Sequence, residues 1–574
     1  MKHYFLTTLV LGIVSLFTWQ GFSQDLSIDE TERIDQVFES WDKDNSPGCA
    51  LAVIRDGQII YKQGYGMADL EHDVPINSNT VFYIGSVSKQ FVAMCILLLV
   101  EEGKLSLDDD IRDYLAEIPD YELPITIRHL IHHTSGVRDY LTLWALTGRD
   151  YLDYIPEDAV YELICNQKEL NFTPGEQFLY SNSCYFLLAM IIENVSGKSL
   201  KKYADEKIFK PLGMNNTRFH DDNLDLIPKR AFGYTKREDG SFGNMIMRFD
   251  LVGSGGVYSS VEDLYKWDQN FYDNSLGESS QAIIDTMLCN GRFSNGDEVN
   301  YAFALSNGSY KGAWVVEHGG ALGGYRSQLI RLPDYKFSVA ILSNLESFNP
   351  TGLAYRVIDI ILENVLETDE TDDSEQANDA NHDDELSPAE RIEIEIDPAI
   401  LERYVGQYQL APGFFINISL EDGRLKGQAT GQEVVDLYPE SDTNFFLKVV
   451  DAQLSFLNEG DAPASQVTLH QSGQNIVGKR VEKKLLSIEE LTIFTGQYYS
   501  DELQISYELS IQGSGLKLQA GYLPAMILNQ AGEDSFQGRV EIVFSRDSED
   551  KIIGFTMDAG RVTGLKFKKT DKQI

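Results

Sequence analysis

The chain has 574 residues, several times what a single hydrophobic core organises, so two to four domains are expected. Hydrophobic residues at 43 % against charged residues at 24 % give the balance of a globular protein and exclude a disordered or fibrous one. With 89 Asp and Glu against 48 Lys and Arg the net charge is −41, which repels phosphate backbones and removes nucleic acid from the expected partners.

In chain order, Lys2 and His3 precede an apolar run from Tyr4 to Trp19, and the small residues Gly21 and Ser23 follow at cleavage spacing. Residues 1–23 therefore read as an export signal, and a secreted or periplasmic location is the expectation. No later stretch is long and apolar enough to span a bilayer, so no membrane span is expected once the signal is removed. Ala50-Leu-Ala-Val-Ile54, the turn Asp56-Gly57 and Ile59-Ile-Tyr61 carry a hairpin signature. Apolar periodicity places long helices over 86–102 and 182–195, and strands over 327–331 and 337–342. Residues 24–365 thus read as a mixed α/β domain.

Between Leu366 and Ser387 ten carboxylates fall without one Lys or Arg. They repel one another and bring too few apolar groups to offset ordering entropy, so 366–398 reads as a solvated linker. Limited proteolysis is expected to cut there first and release a fragment ending near 366–387; a first cut within 47–365 would contradict that division.

Beyond the linker short alternating strands repeat. Leu401 and Gly406-Gln-Tyr408 return roughly ninety residues later as Leu491 and Gly496-Gln-Tyr498. Leu425-Lys426 with Gln428 is echoed by Leu516-Lys517 with Gln519, Leu437 by Leu528, Phe445 by Phe536 and Gly473 by Gly560. Residues 399–484 and 485–574 are expected to be two copies of an all-β unit, each with room for about eight strands closing as a small barrel or sandwich.

Five cysteines, Cys49, Cys95, Cys165, Cys184 and Cys289, are odd in number and form no C-x-x-C pair, so no disulfide framework is implied. The nine histidines fall in no metal-ligand spacing. No metal and no cofactor are expected, and the partner is a small molecule or short peptide; oligomeric state is not legible.

Acyl transfer through a serine needs a group to take the hydroxyl proton and donors for the developing oxyanion. Ser86-Val-Ser-Lys89 supplies the first pair: on a helix, Lys89 lies one turn along the same face as Ser86. S-x-x-K occurs five times, at Ser40, Ser86, Ser199, Ser514 and Ser548, and a serine so spaced is ordinarily a cap or a surface residue. Ser86 is set apart by its apolar helix and by Tyr180-Ser-Asn182 and His318-Gly-Gly320 downstream.

S-x-x-K, Y-x-N and H-x-G in that order resemble the signature of class C β-lactamases, DD-carboxypeptidases, D-aminopeptidases and related esterases. Ile127-Arg-His-Leu-Ile131, His133-Thr-Ser-Gly136, Pro174-Gly-Glu176, Pro211-Leu-Gly-Met214 and Gly253-Ser-Gly-Gly256 extend the likeness over about 47–365. The resemblance implies an antiparallel sheet flanked by helices, a helical subdomain, and two β-barrel domains after it, as in D-aminopeptidases. It implies Ser86 as the nucleophile, Lys89 and Tyr180 as its proton carriers, and Asn182 as a donor to the substrate amide. His318 takes the place that Lys holds in β-lactamases, beside Gly320, and the backbone N–H groups of Ser86 and Ala321 would face the oxyanion.

One departure matters. Gly319 and Ala321 replace residues whose hydroxyls hold a substrate carboxylate in β-lactamases and DD-carboxypeptidases, so H-G-G looks more like the esterases and D-aminopeptidases. His132 and His133 are expected to be structural, because no G-x-S-x-G elbow exists for a Ser-His-Asp triad. The expected function is hydrolysis of amides or esters, with D-amino-acid peptides or small esters as substrates; β-lactamase or DD-carboxypeptidase activity is the alternative. A binding protein that keeps the fold as a ligand pocket is the other class, and a fluorophosphonate probe separates the two, since it modifies only an activated serine.

Overall fold

The computed structural model describes residues 26–366 except 280, and residues 393–570 except 395, 412–413, 422, 430–431, 433, 449–451, 459, 461, 472–473, 482–485 and 522–523. The export signal and most of the linker expected above lie outside the described residues.

Helix α1 (Ile28–Phe38) opens on a capping box in which Ser27 and Glu30 satisfy each other's backbone N–H. The expected hairpin follows as β1 (Cys49–Arg55) and β2 (Gln58–Tyr65). Its turn puts both Asp56 and Gly57 at positive φ, 47° and 80°, the geometry that matches strand twist in a two-residue hairpin. After helices α2 (Lys89–Glu101) and α3 (Asn182–Ser196) come strands β3 (Ser306–Tyr310), β4 (Ala313–Leu322), β5 (Tyr325–Leu332) and β6 (Phe337–Ser343), then helix α4 (Pro350–Leu362).

These six strands form one antiparallel sheet in the order β3-β4-β5-β6-β1-β2. Strands β1 and β6 are apolar without alternation because both faces of the sheet are covered. Ile34, Phe38, Leu51, Val339, Ile341, Val357 and Ile358 fill the layer between the sheet and α1 with α4. Ala50, Ala52, Ala340 and Leu342 face the opposite layer, where α2 is buried nearly all round among Leu187, Leu188, Ile191 and Trp267. Helix α2 starts at Lys89 rather than Ser86: Gly85–Ser88 is a single 3₁₀ turn, entered through Gly85 at a φ of 51°.

One ion pair crosses this core. Arg331 Nε donates to Asp268 Oδ1 at 2.8 Å, as does the Ser338 hydroxyl at 2.8 Å, and the guanidinium lies 3.8 Å above the Phe271 ring. Burial raises the Asp268 carboxyl pKa and Arg331 opposes that rise. Replacing one partner leaves the other charge stranded, so Asp268→Ala is expected to cost about 3–5 kcal/mol. Urea unfolding of the two proteins measures it; a loss under about 1 kcal/mol, the range of an exposed pair, would refute the argument.

After the linker, residues 406–481 form a nine-stranded antiparallel sheet, and residues 496–570 a closed eight-stranded barrel. The two share one plan. Gly406–Ala411 pairs with Gln474–Val481 as Gly496–Ser500 pairs with Val562–Thr570, and the echoed Tyr408, Leu425, Leu437 and Phe445 are core residues like Tyr498, Leu516, Leu528 and Phe536. In the first copy the strand equivalent to Met526–Gln530 is broken into Val435–Asp436 and Tyr438–Pro439, so the ring opens around the buried Leu437.

The closed barrel docks on the α/β domain. Arg138, 1 % exposed, donates to Glu502 Oε1 at 2.8 Å, Gln167 Oε1 at 3.0 Å and Thr563 O at 2.7 Å. The Tyr507 hydroxyl donates to Leu146 O at 2.6 Å, and Lys566 pairs with Glu169.

Candidate active site

Ser86, Tyr180, Asn182, His318, Gly320 and Ala321 line one cavity of about 720 Å³, and Lys89 is buried beneath it. Ser86 rides the 3₁₀ turn at the start of α2, so Lys89 returns one turn later with Nζ 3.0 Å from Ser86 Oγ. Nζ also lies 3.0 Å from Asn182 Oδ1 and 2.5 Å from Ser254 O. Burial drives the Lys89 pKa well below 10.5; the Arg561 cation lowers it further and Asp139 opposes both. Nζ thus donates to three oxygens; once it is deprotonated, two N–H groups still serve Asn182 and Ser254 and the lone pair can turn to the Ser86 hydroxyl.

Tyr180 stands over this pair, its ring centroid 4.8 Å from Nζ. Burial raises its phenol pKa, while the nearby Ser86 hydroxyl and the Arg561 cation draw it back. Its hydroxyl is buried and makes no well-formed hydrogen bond among the described residues. That leaves it able to pass a proton between Ser86 and a leaving group in the cavity.

Asn182 begins α3 and is fixed from behind: Asp139 Oδ2 accepts its backbone N–H at 2.6 Å and its Nδ2 at 2.9 Å, while Asp139 Oδ1 caps the helix Tyr140–Leu146 through Thr142 N–H at 3.0 Å.

The far wall is β4. Strand β3 pairs with β4 only as far as Glu317, so His318–Leu322 keeps its outer edge open to the turn carrying Ser86. A Cβ on Gly320 would lie 2.1 Å from Ile84 O and 2.8 Å from Ser86 N, and one on Gly85 2.5 Å from Ala321 N. Only glycine permits this close approach of the Ser86 turn to β4. Ser327 Oγ pins the turn by donating to Ile84 O at 2.8 Å.

His318 has both ring nitrogens engaged. Nδ1–H donates to Gly319 O at 2.6 Å, so Nε2 accepts from the Tyr301 hydroxyl at 3.0 Å. Around it His133, Phe178, Tyr180 and Tyr301 pack ring on ring. His133 is fully buried, accepts Ser181 N–H at 3.2 Å on Nδ1, and is kept neutral by burial.

His132 donates Nδ1–H to Tyr301 O at 3.0 Å, and burial lowers its pKa to about 4. The folded state therefore holds this imidazole neutral, and its contribution to stability is full above the unfolded pKa of 6.5 and is lost as pH falls through 4. The gap corresponds to about 3 kcal/mol. The urea midpoint is expected to fall between pH 6.5 and 4, and His132→Asn to flatten that fall; an equally steep fall in the variant would assign the effect elsewhere.

Four residues that shape the site were given no role from the sequence: Asp139, Ser254, Tyr301 and Arg561. Gly253-Ser-Gly-Gly256 hinted at Ser254, since Gly253 and Gly256 sit at φ of 107° and 94° against Tyr185 O and Leu251 O. Arg561, from the closed barrel, was outside any expectation.

Residues 34–360 match the β-lactamase family, and 390–480 a domain of unknown function, DUF3471. The penicillin-binding protein 4* of Bacillus subtilis (strain 168) is 30 % identical over 461 residues, 78 % of this chain and 97 % of that protein. The D-aminopeptidase of Brucella canis is 26 % identical over 554 residues, 91 % of this chain and 96 % of that one. Among solved structures, the octameric penicillin-binding protein homologue from Pyrococcus abyssi, 23 % identical, shares the fold over 87 % of this chain and 99 % of its own, with a TM-score of 0.54. A serine on an S-x-x-K turn, a buried lysine against it, and these matches have one meaning: the chain belongs to the β-lactamase family of serine hydrolases.

Proposed function

We propose that this protein is an exported hydrolase that cleaves amide or ester bonds through an acyl-Ser86 intermediate, with D-amino-acid peptides and amides or small esters as substrates. The observation that carries the reading is the buried Lys89 amine, 3.0 Å from Ser86 Oγ and unable to hold a proton cheaply. Lys89 takes the hydroxyl proton as Ser86 attacks the carbonyl, and the Ser86 and Ala321 N–H groups receive the oxyanion. Tyr180 hands a proton to the departing nitrogen or oxygen and takes back the one that Lys89 had accepted, so that water, attacking with Lys89 neutral again, repeats the sequence and frees the enzyme.

The D-aminopeptidase of Brucella canis supports the D-peptide reading, since its likeness runs through the β domains as well. The penicillin-binding protein of Bacillus subtilis favours β-lactamase or DD-carboxypeptidase activity as a second reading. Ala321 weighs against it: the methyl group offers no hydrogen bond to a carboxylate beside the leaving nitrogen, a contact worth about 1.5–3 kcal/mol. Export rests on the sequence of residues 1–23.

The test is kcat/KM for a D-aminoacyl p-nitroanilide, a short p-nitrophenyl ester and a chromogenic cephalosporin, with mass mapping of a fluorophosphonate adduct. Labelling at Ser86 with the amide or ester preferred is the expected result. A preference for the cephalosporin would favour the second reading, and no label at Ser86 would end both.

A further inference from the structure

Arg561 sits in the tight turn between the barrel's last two strands, β7 (Ile552–Ala559) and β8 (Val562–Thr570), and reaches the hydrolase cavity. Its main chain is pegged: Arg561 O accepts from Asn171 Nδ2 at 3.0 Å and from Asp139 N–H at 3.4 Å, and Thr563 N–H donates to Asn171 Oδ1 at 2.9 Å. Its guanidinium carbon lies 4.8 Å from the centroid of the Tyr180 ring. Stacking on that ring holds the guanidinium plane, and its N–H edge remains for something else.

Among the described residues that edge meets only a long ion pair, to Asp139 at 3.9 Å. Arg561 makes no side-chain hydrogen bond among the described residues. The nearest carboxylate oxygen, Asp139 Oδ2, is 3.9 Å away and already accepts two N–H groups from Asn182. The side chain is 27 % exposed and lines the cavity. The other carboxylates on the cavity wall are engaged elsewhere: Glu317 accepts from Gln328 at 2.6 Å and Glu346 from Thr235 at 2.6 Å. The equivalent hairpin of the first β domain has Gln474 after its glycine, so the cation does not belong to the repeat as such.

We propose that Arg561 is a specificity-determining residue that binds an anionic group, a carboxylate above all, on the acyl half of the substrate. The side of the site follows from its neighbours: Arg561 abuts Tyr180 and the Asp139–Asn182 pair, and Asn182 is the residue that meets the substrate amide in the reading above, on which this inference rests. Ala321, which leaves a carboxylate next to the leaving group without a hydroxyl partner, is on the opposite wall. The substrate class narrows to acyl donors such as a D-acidic residue or the half-ester of a dicarboxylic acid.

Two matched pairs test this: D-glutamyl against its isostere D-glutaminyl p-nitroanilide, and mono-p-nitrophenyl adipate against p-nitrophenyl hexanoate, which has the same chain length. The full-length protein is to be compared with Arg561→Gln and Arg561→Lys. The wild type is expected to favour the anionic member at least about tenfold in kcat/KM, mostly through KM, the low end of a charge-assisted contact. Arg561→Gln should erase that ratio, Arg561→Lys should keep part of it, and 0.5 M NaCl should lower it in the wild type. A ratio at or below one in the wild type, or one unchanged in Arg561→Gln, overturns the proposal. Fluorophosphonate labelling separates the two levels: Ser86 labelled with no charge preference sinks Arg561's role alone, whereas an unlabelled Ser86 sinks the hydrolase reading and this one with it.

Discussion

Ser86→Ala is expected to lower turnover of any substrate by at least about 10⁴-fold, since nucleophile, base and relay act as one unit and nothing else in the cavity replaces the attacking oxygen. The fold should survive. The hydrogen bond from Lys89 to Ser86 Oγ is worth about 0.5–1.5 kcal/mol, and the turn is held independently by Ser327 on Ile84 O. Turnover, fluorophosphonate labelling and the urea midpoint measured on one preparation check this. Wild-type turnover in the variant would show that another group attacks, and a collapsed midpoint would show that Ser86 matters for folding.

Lys89→Met should follow with a loss of about 10²–10⁴-fold, the usual weight of a positioned base. Methionine fills a similar volume without an amine, so the pocket under Tyr180 stays packed. The pH profile carries the sharper expectation. Burial and the Arg561 cation put the Lys89 pKa well below 10.5. The unprotonated, active form therefore accumulates as pH rises, and kcat/KM climbs along a limb well short of pH 10.5. That limb should vanish in Lys89→Met. If it persists, the titrating base is another group.

The parts of the site legible in the sequence are those whose geometry is local. Ser86 and Lys89 meet because three residues of helical turn separate them, and that spacing is visible in the text. The 182–195 helix, the Asp56-Gly57 hairpin and the two β repeats were equally readable, because periodicity and turn chemistry are properties of neighbouring residues. Strand β4 was not, since His318-Gly-Gly320 interrupts its apolar run with residues that strands disfavour. Those glycines serve the close approach to Ser86, which is a tertiary demand. Asp139 was hidden for another reason: a carboxylate before an apolar helix reads as a cap, which it is, and only the folded chain shows its second oxygen on Asn182. The opened ring at Leu437 likewise depends on strand pairing that two similar repeats do not distinguish.

Docking of the barrel also sets an order of events during synthesis. Arg138 and Thr563, joined by a 2.7 Å hydrogen bond, are 425 residues apart. At ribosomal speeds that distance is about 20–85 s of elongation. For the first 364 of those residues the hydrolase domain carries Arg138 with no Glu502 yet made, and for nearly all of them Asp139 lacks the arginine that later stands beside it. A domain that folds ahead of the barrel therefore holds those two charges in water, and the wall by Asn182 is finished only when the β7–β8 turn has closed on it.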